Sequence, residues 1–247
     1  MTETTEYSGD VPTPPAPMPS FWEDVIEIFV HPADVYRRRA DTSFWPPMLF
    51  VAAAIGVITF ATFNVLSPVF EAEFTRNTAK QIADNPQAAA QIGKMRDTML
   101  TVSKFTLPVI LLISMLVVGL VTWLVSKMFD AKTTVGQALL VVGWAYMPRI
   151  LGSIAGSAQA LFMDPARLNS QLAISLSPAR FLDADTANPI LFQMLGRLDL
   201  TIIWETVLLA VGIYVTGKIT KNKAIAFGVV MWIIGAIPVL RNAITQM

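Results

Sequence analysis

Two ionisable residues stand inside long apolar stretches, and they are the first candidates for chemistry in this chain. Arg149 follows Pro148 in one stretch, and Glu205 follows Trp204 in another. A charged side chain inside the hydrocarbon of a membrane is costly, so it is a functional candidate by default. At about 1.5 Å of helical rise per residue, Arg149 lies roughly 18 Å and Glu205 roughly 8 Å from the corresponding ends of their stretches. Because arginine is long enough to close much of that gap, the sequence predicts a buried charge pair.

The residues alone leave the role of this pair open. A structural ion pair, a pair that couples to a proton or a substrate, and two charges that do not meet are the alternatives. Pro148 lacks a backbone N–H, so we expect it to kink its helix and to free a carbonyl group. That carbonyl could satisfy part of the Arg149 guanidinium instead of Glu205.

Signatures of catalysis are missing from the sequence. His31 is the only histidine and the chain has no cysteine, which excludes a histidine metal cluster, a zinc ribbon and iron–sulfur ligation. A Ser-His dyad and an H-E-x-x-H zinc site are disfavoured for the same reason. No apolar stretch holds two aspartates, and no P-loop is present. We therefore expect a protein that is not an enzyme and that carries no cofactor and no metal.

Small residues recur at four-residue intervals just after Arg149. They are Gly152, Gly156 and Ala160, and on a helix this spacing places them on one face. Such a face lets another helix approach closely. Packing within a bundle is one interpretation of the pattern and homodimerisation is the other.

The elements that must position these residues are membrane spans. The chain has 247 residues, of which 54% are hydrophobic and 15% charged, and its mean hydropathy is +0.55. A soluble core of this size does not need so much apolar residue. Five stretches approach the length of about 20 residues that crosses a bilayer, namely 46–68, 106–129, 135–162, 200–216 and 224–240. The prediction is an all-α integral membrane protein, a bundle of five transmembrane helices within residues 46–247.

The region before the first span divides into two parts. Residues 1–19 contain five prolines among small and polar residues, a composition typical of a disordered tail. In residues 20–45, Ser20 and Glu23 can form a capping box, and apolar residues recur at helical spacing around acidic ones. This pattern predicts amphipathic helices in the membrane interface, with Pro32 ending the first or starting a second. The predicted interface anchors are Phe21, Trp22, Arg37, Arg38, Arg39 and Trp45.

The long connections and the charges set the expected topology. Residues 71–104 are polar and alanine-rich, so we expect one or two amphipathic helices there on the outer surface, whereas residues 163–199 should form a loop with at most short helices. The positive-inside rule favours a cytoplasmic N-terminus and an outside C-terminus in a bacterial inner membrane. The basic residues that decide this are Arg37, Arg38, Arg39, Lys127, Lys132, Lys218, Lys221 and Lys223. Zero net charge gives no reason to expect nucleic acid as a partner.

Several segments together resemble one family. They are the aromatic and acidic helix with His31 and Pro32 before the first span, Asn85-Pro86-Gln87 before the second, Gly136-Gln137-Ala138 with Tyr146 and Pro148 in the third, Leu198 to Trp204 opening the fourth, and Lys218, Lys221 and Lys223 before the last. The sequence is similar to the Yip-domain family of Ypt/Rab-interacting membrane proteins, in its compact bacterial form. The resemblance implies a five-helix bundle, a cytoplasmic N-terminus and a non-enzymatic role.

Two functions follow as hypotheses. The first is a scaffold or adaptor in membrane organisation or a trafficking-like process, with the lipid bilayer and either partner proteins or a second copy of the chain as partners. The alternative is a transporter or channel for a small solute, an ion or a lipid that uses Arg149 and Glu205.

Overall fold

The computed structural model describes residues 19–245, so the predicted disordered tail lies outside the described residues except for Pro19. Within residues 19–245 the chain forms nine α-helices, a few 3-10 turns and no strand. The helices are α1 Phe21–Glu27, α2 Pro32–Arg39, α3 Trp45–Asp84, α4 Ala89–Lys127, α5 Val135–Ala145, α6 Met147–Phe162, α7 Pro189–Gly196, α8 Leu200–Gly217 and α9 Lys221–Thr245.

Five segments of this structure are long and apolar enough to cross a membrane. The third of them combines α5 and α6, and the others belong to α3, α4, α8 and α9. The segments are Trp45–Ala79, Phe105–Lys127, Val135–Phe162, Leu200–Gly217 and Lys221–Arg241. The predicted fold class, an all-α membrane protein with five spans, is therefore confirmed. We call the face of the bundle that carries α1 and α2 the N-terminal face, and the opposite face, which carries residues 163–199, the loop face.

The connection between the first two spans differs from the prediction. No separate amphipathic helix lies in residues 71–104, because α3 and α4 continue through most of this segment as helices of 40 and 39 residues. At about 1.5 Å per residue each is roughly 60 Å long, about twice the hydrocarbon thickness. Only a 3-10 turn at Pro86–Ala88 separates them. The polar, alanine-rich sequence forms helix as predicted, but it extends the spans instead of lying across the surface.

The third span is broken where the sequence predicts a kink. Thr134 caps α5 through a capping box with Gln137, and α5 ends at Ala145. Tyr146 is the joint, and Pro148 stands in the first turn of α6, where a missing N–H costs nothing. The break changes the neighbours of the span. α5 packs on α3, α4 and α8, whereas α6 packs on α3 and α8.

The first two helices form a layer on the N-terminal face. Ser20 and Glu23 make the predicted capping box at the start of α1, and Pro32 starts α2. α2 packs against α8. The Tyr36 side chain is fully buried there, and its hydroxyl donates to the Val141 carbonyl of α5 at 3.3 Å. We call α1 and α2 the N-terminal layer.

The loop face is formed by short elements, as predicted for residues 163–199. Three 3-10 turns, at Pro165–Arg167, Gln171–Ile174 and Pro178–Phe181, precede α7. Arg76, on α3, donates to Asp185 at 2.8 Å and to the Asn169 carbonyl at 2.9 Å. The loop is thereby attached to the first span.

Candidate functional site

Arg149 and Glu205 meet between α6 and α8. The Arg149 Nε donates to the Glu205 Oε2 at 2.6 Å. The Glu205 side chain is 10% exposed and the Arg149 side chain 38% exposed. Pro148 places the arginine in the first turn of α6. The structure thus brings together the two charges that the sequence singles out.

A second arginine lies next to this pair. Arg197 directly follows α7, and its Nη2 donates to the Trp232 carbonyl of α9 at 2.9 Å. In return the Trp232 indole N–H donates to the Arg197 carbonyl at 3.2 Å. Burial lowers the pKa of the Arg197 guanidinium, while nearby Glu205 acts in the opposite direction. Two guanidinium groups therefore lie within electrostatic reach of one carboxylate.

Aromatic rings complete the surroundings of the two arginines. The Arg149 guanidinium lies over the Tyr146 ring, with its Cζ 4.1 Å from the ring centroid. The Arg197 Cζ lies 5.5 Å from the Trp232 ring centroid. Cation–π contacts of this kind are stronger where water is excluded.

Asp199 fixes the start of α8 and hence the position of Glu205. Its carboxylate caps the helix by accepting from the Thr201 N–H at 2.8 Å and from the Thr201 hydroxyl at 2.6 Å. It also accepts from the Leu176 N–H at 2.7 Å. This carboxylate therefore joins the loop face to the fourth span, and three donors satisfy it.

A cavity of about 550 Å³ borders Arg149. Parts of α3, α4, α6, α8 and the loop face line it. Among the lining residues are six hydroxyl side chains: Thr59, Ser114, Ser153, Ser157, Ser175 and Thr201. Most of the remaining wall is aliphatic. The site therefore joins a cation, several hydroxyl groups and an apolar surface at membrane depth.

The small residues of α6 contact other parts of the same chain. A Cβ atom added at Gly152 would stand 2.9 Å from the Thr201 Cγ2, and one added at Gly156 would stand 3.1 Å from the Ile174 carbonyl oxygen. Ala160 is 3% exposed and clusters with Leu66 of α3. This arrangement is packing within the bundle, the first of the two interpretations of the pattern.

The aromatic residues predicted as interface anchors have divided roles. Trp22 is 64% exposed and Trp45 is 44% exposed, as a position in the interface requires. Phe21 instead points inward, because its ring lies 5.4 Å from the Trp144 ring. Phe50 of α3 lies 5.6 Å from Phe21 and 5.4 Å from Trp22, centroid to centroid. Of the two aromatics that open α1, only Trp22 faces outward.

Two of the predicted basic anchors form ion pairs within the N-terminal layer. Arg38 and Arg39 both form ion pairs with Asp24, whose side chain is fully buried, and Arg38 also pairs with Glu27. The carboxylates raise the pKa of Arg38 against the opposing effect of its partial burial. Arg37 pairs with Asp34 at the surface. Arg38 and Arg39 therefore hold α1 to α2, and their role as membrane-interface anchors stays a prediction.

Sequence reasoning missed Arg197, Asp199 and Asp24. Arg197 and Asp199 lie in the polar segment before the fourth span, where charges are ordinary. The only signal at Asp199 is that aspartate suits a helix N-cap. For Asp24, nothing in an amphipathic pattern distinguishes a buried acid from an exposed one. No group of His, Asp or Glu residues that could hold a metal ion occurs in the described part of the chain.

Comparison with known proteins gives one match. The Yip1 domain family model matches residues 26–240, nearly the whole chain. No curated protein and no solved structure shows a significant match. The matched range includes the first four spans, all but the last residue of the fifth, the Arg149–Glu205 pair and α2 of the N-terminal layer. The match to this range shows that the chain belongs to the Yip1 domain family.

Proposed function

We propose that this membrane protein is a non-enzymatic scaffold or adaptor in membrane organisation, and that it acts through the N-terminal layer. One observation carries the proposal. Trp22, Ile26 and Val30 are 64%, 72% and 65% exposed and recur every four residues at and just beyond α1. We call these three residues the apolar stripe. Exposed large side chains in such a row mark a surface that contacts a membrane or a partner.

The apolar stripe is held in a defined direction. The opposite side of α1 carries the buried Asp24 and is followed by Ile28, which is also fully buried. The stripe is continuous with the start of the first span, because the Trp22 ring touches Phe50. Leu49, the residue before Phe50 on α3, is 51% exposed. A helix with this placement inserts its apolar side among the headgroups of one leaflet, and insertion into one leaflet favours curved membrane.

We place the N-terminal layer on the cytoplasmic side of a bacterial inner membrane, with the C-terminus outside. The support is the density of basic residues in short segments on the N-terminal face. They belong to α2 and to the turns that precede α5 and α9, and the positive-inside bias acts on such short segments.

Membrane tubes pulled from giant vesicles give a direct test. The full-length protein, fluorescently labelled and reconstituted, should be enriched on the tube relative to the flat membrane. The triple variant Trp22→Gln, Ile26→Gln, Val30→Gln should lose this enrichment while it still inserts. The substitutions leave the buried Asp24 and Ile28 in place and remove only the ring contacts of Trp22.

A matched control uses another exposed apolar row. Met95, Met99 and Val102 are 50%, 42% and 43% exposed on α4, far from the N-terminal layer. Substituting these three with glutamine should leave the enrichment on tubes unchanged. Equal enrichment of the wild type and the stripe variant would refute a role for the stripe in membrane shape. The same two variants, compared in a detergent pull-down, report whether recruitment of partner proteins needs the stripe.

A transporter or channel is the second candidate, and the Arg149–Glu205 pair beside a cavity is the observation that favours it. A transport site is expected near the membrane midplane, among broken helices. Solute flux in proteoliposomes that disappears in Arg149→Ala and in Glu205→Ala would support transport. Flux that these variants leave unchanged would remove the pair from any transport role.

A further inference from the structure

The break in the third span creates a space inside the membrane-spanning part of the bundle. α5 packs on α4, but beyond Tyr146 the span continues as α6 against α3 and α8. Space is therefore left between α4 and α6 on the side toward the loop face. The cavity of about 550 Å³ occupies it, and ligand cavities commonly measure about 300–1,000 Å³.

The wall of this cavity is amphipathic. Ile55 of α3 and Leu107, Ile110 and Leu111 of α4 supply an aliphatic side. Arg149 and Ser153 of α6 supply polar groups to the same cavity. An occupant that fits both sides has an alkyl chain and a polar head.

Arg149 has donors to spare for such a head. Its Nε is used by Glu205, but neither of its Nη atoms has a hydrogen-bond partner in the part of the chain that the structure describes. The side chain is 38% exposed and borders the cavity. A guanidinium with free Nη donors binds a carboxylate or a phosphate group well, because its planar fork matches their oxygens.

The unused donors of Arg149 favour an acidic head over a neutral one. Arg149 and Arg197 share Glu205 as their nearby carboxylate. The Asp199 carboxylate also borders the cavity, but three donors of the loop face and of the α8 start already satisfy it. Asp199 also acts electrostatically on Arg149, so it is the free Nη donors of Arg149 that favour an acidic head, because a hydrogen bond to a charged acceptor is stronger than one to a neutral acceptor.

We propose that the cavity binds an acidic single-chain amphiphile, whose carboxylate or phosphate head lies at Arg149 and whose alkyl chain lies along α3 and α4. The proposal is independent of the role of the N-terminal layer. It requires binding only and no transport across the membrane.

Photo-crosslinking in the wild-type protein is the first test. The full chain is placed in nanodiscs of zwitterionic lipid and irradiated with hexadecanoic acid that carries a diazirine. Hexadecanoate, hexadecyl phosphate or hexadecanol, each without a diazirine, is added before irradiation as a competitor for the site. We expect one or both acids to compete about tenfold more strongly than the alcohol, the effect of losing one charge-assisted contact. The acid that competes more strongly identifies the head group. Equal competition by the alcohol would overturn the proposal.

Substitutions locate the label. Ser153→Phe should fill the cavity and lower labelling about tenfold, a loss comparable to that of one good contact. Ile154→Phe is the matched control, because Ile154 is 50% exposed and its neighbour Ser153 lines the cavity. The double variant Arg149→Gln/Glu205→Gln removes the head contact without leaving one charge alone, and it should also lose the label. The proposal would be overturned if Ser153→Phe and the double variant both fold and are still labelled. It would also be overturned if Ile154→Phe lowers labelling as much as Ser153→Phe does.

Discussion

Replacing Glu205 by glutamine should destabilise the bundle more than replacing Arg149 by glutamine, although each change removes the same hydrogen bond at 2.6 Å. The difference comes from what remains. Without Glu205, the guanidinium groups of Arg149 and Arg197 still repel each other electrostatically, in a site that has lost the carboxylate they share. Neither can lose its proton, because arginine stays charged in proteins. Without Arg149, Glu205 still has Arg197 nearby, and a carboxylate can also take up a proton.

The magnitudes follow from these two cases. Removing one partner of a buried ion pair costs about 3–5 kcal/mol when the other charge is left uncompensated, and this applies to Glu205→Gln. Because the Arg149 side chain is 38% exposed, we expect the loss in free energy of unfolding for Glu205→Gln to lie at the lower end of this range. Arg149→Gln loses a charge-assisted hydrogen bond of about 1.5–3 kcal/mol. The double variant should cost less than Glu205→Gln alone, because two amides can hydrogen-bond to each other.

Unfolding free energies measured by steric trapping in bicelles would give the order of the three variants. In a thermal melt, a chain of this size loses about 2–4 °C per kcal/mol, so Glu205→Gln should lower the Tm by on the order of 10 °C. Glu71→Gln, at an exposed carboxylate of α3, is the control and should stay within about 0.5 kcal/mol of the wild type. The reasoning fails if Arg149→Gln is the more destabilising change, or if the double variant equals the sum of the singles.

Three further expectations concern the N-terminal layer and the topology. Asp24→Asn should lower the free energy of unfolding by about 3 kcal/mol, because it leaves two arginines of α2 without their buried carboxylate. Amide hydrogen exchange should become faster in α1 and stay unchanged in α9. Burial raises the pKa of Tyr36 well above its ordinary value, so as the pH rises the unfolded chain loses this proton before the folded chain does. The free energy of unfolding should therefore fall above about pH 10, and melts of Tyr36→Phe should show a smaller fall over the same pH range. The chain has no cysteine, so Ser43→Cys can report on the N-terminal face and Asn85→Cys on the far end of α3. In sealed inside-out vesicles an impermeant maleimide should label the cysteine at position 43 and not the one at position 85. The reverse result would invert the proposed orientation.

The spans and the charge pair could be predicted because each depends on local sequence. An apolar run near 20 residues has few alternatives to crossing a bilayer, and a proline inside such a run predicts the break at Tyr146. The meeting of Arg149 with Glu205 could be anticipated because a charge at membrane depth needs a counter-charge. These inferences need no knowledge of how distant segments pack.

Other features depend on tertiary contacts that the sequence pattern does not contain. Arg38 and Arg39 follow the pattern of a basic anchor, but the buried Asp24 lies within their reach where α1 packs on α2. The helical extension of α3 was predicted as a separate helix because polar residues follow the span. Contacts between Arg76 and the loop face accompany its continuation beyond the membrane. In each case the partner belongs to another element, and the local pattern does not identify it.

Stability alone does not account for an arginine at the start of α6. The N-terminus of a helix is the positive end of its dipole, so a cation in the first turn is unfavourable there. A well-packed apolar pair in place of Arg149 and Glu205 would commonly be as stable as the ion pair or more so. The break at Tyr146 nevertheless brings this arginine beside a cavity with donors left over. A cation in an unfavourable helical position, next to a space that suits an acidic amphiphile, is better explained by what it binds than by what it stabilises.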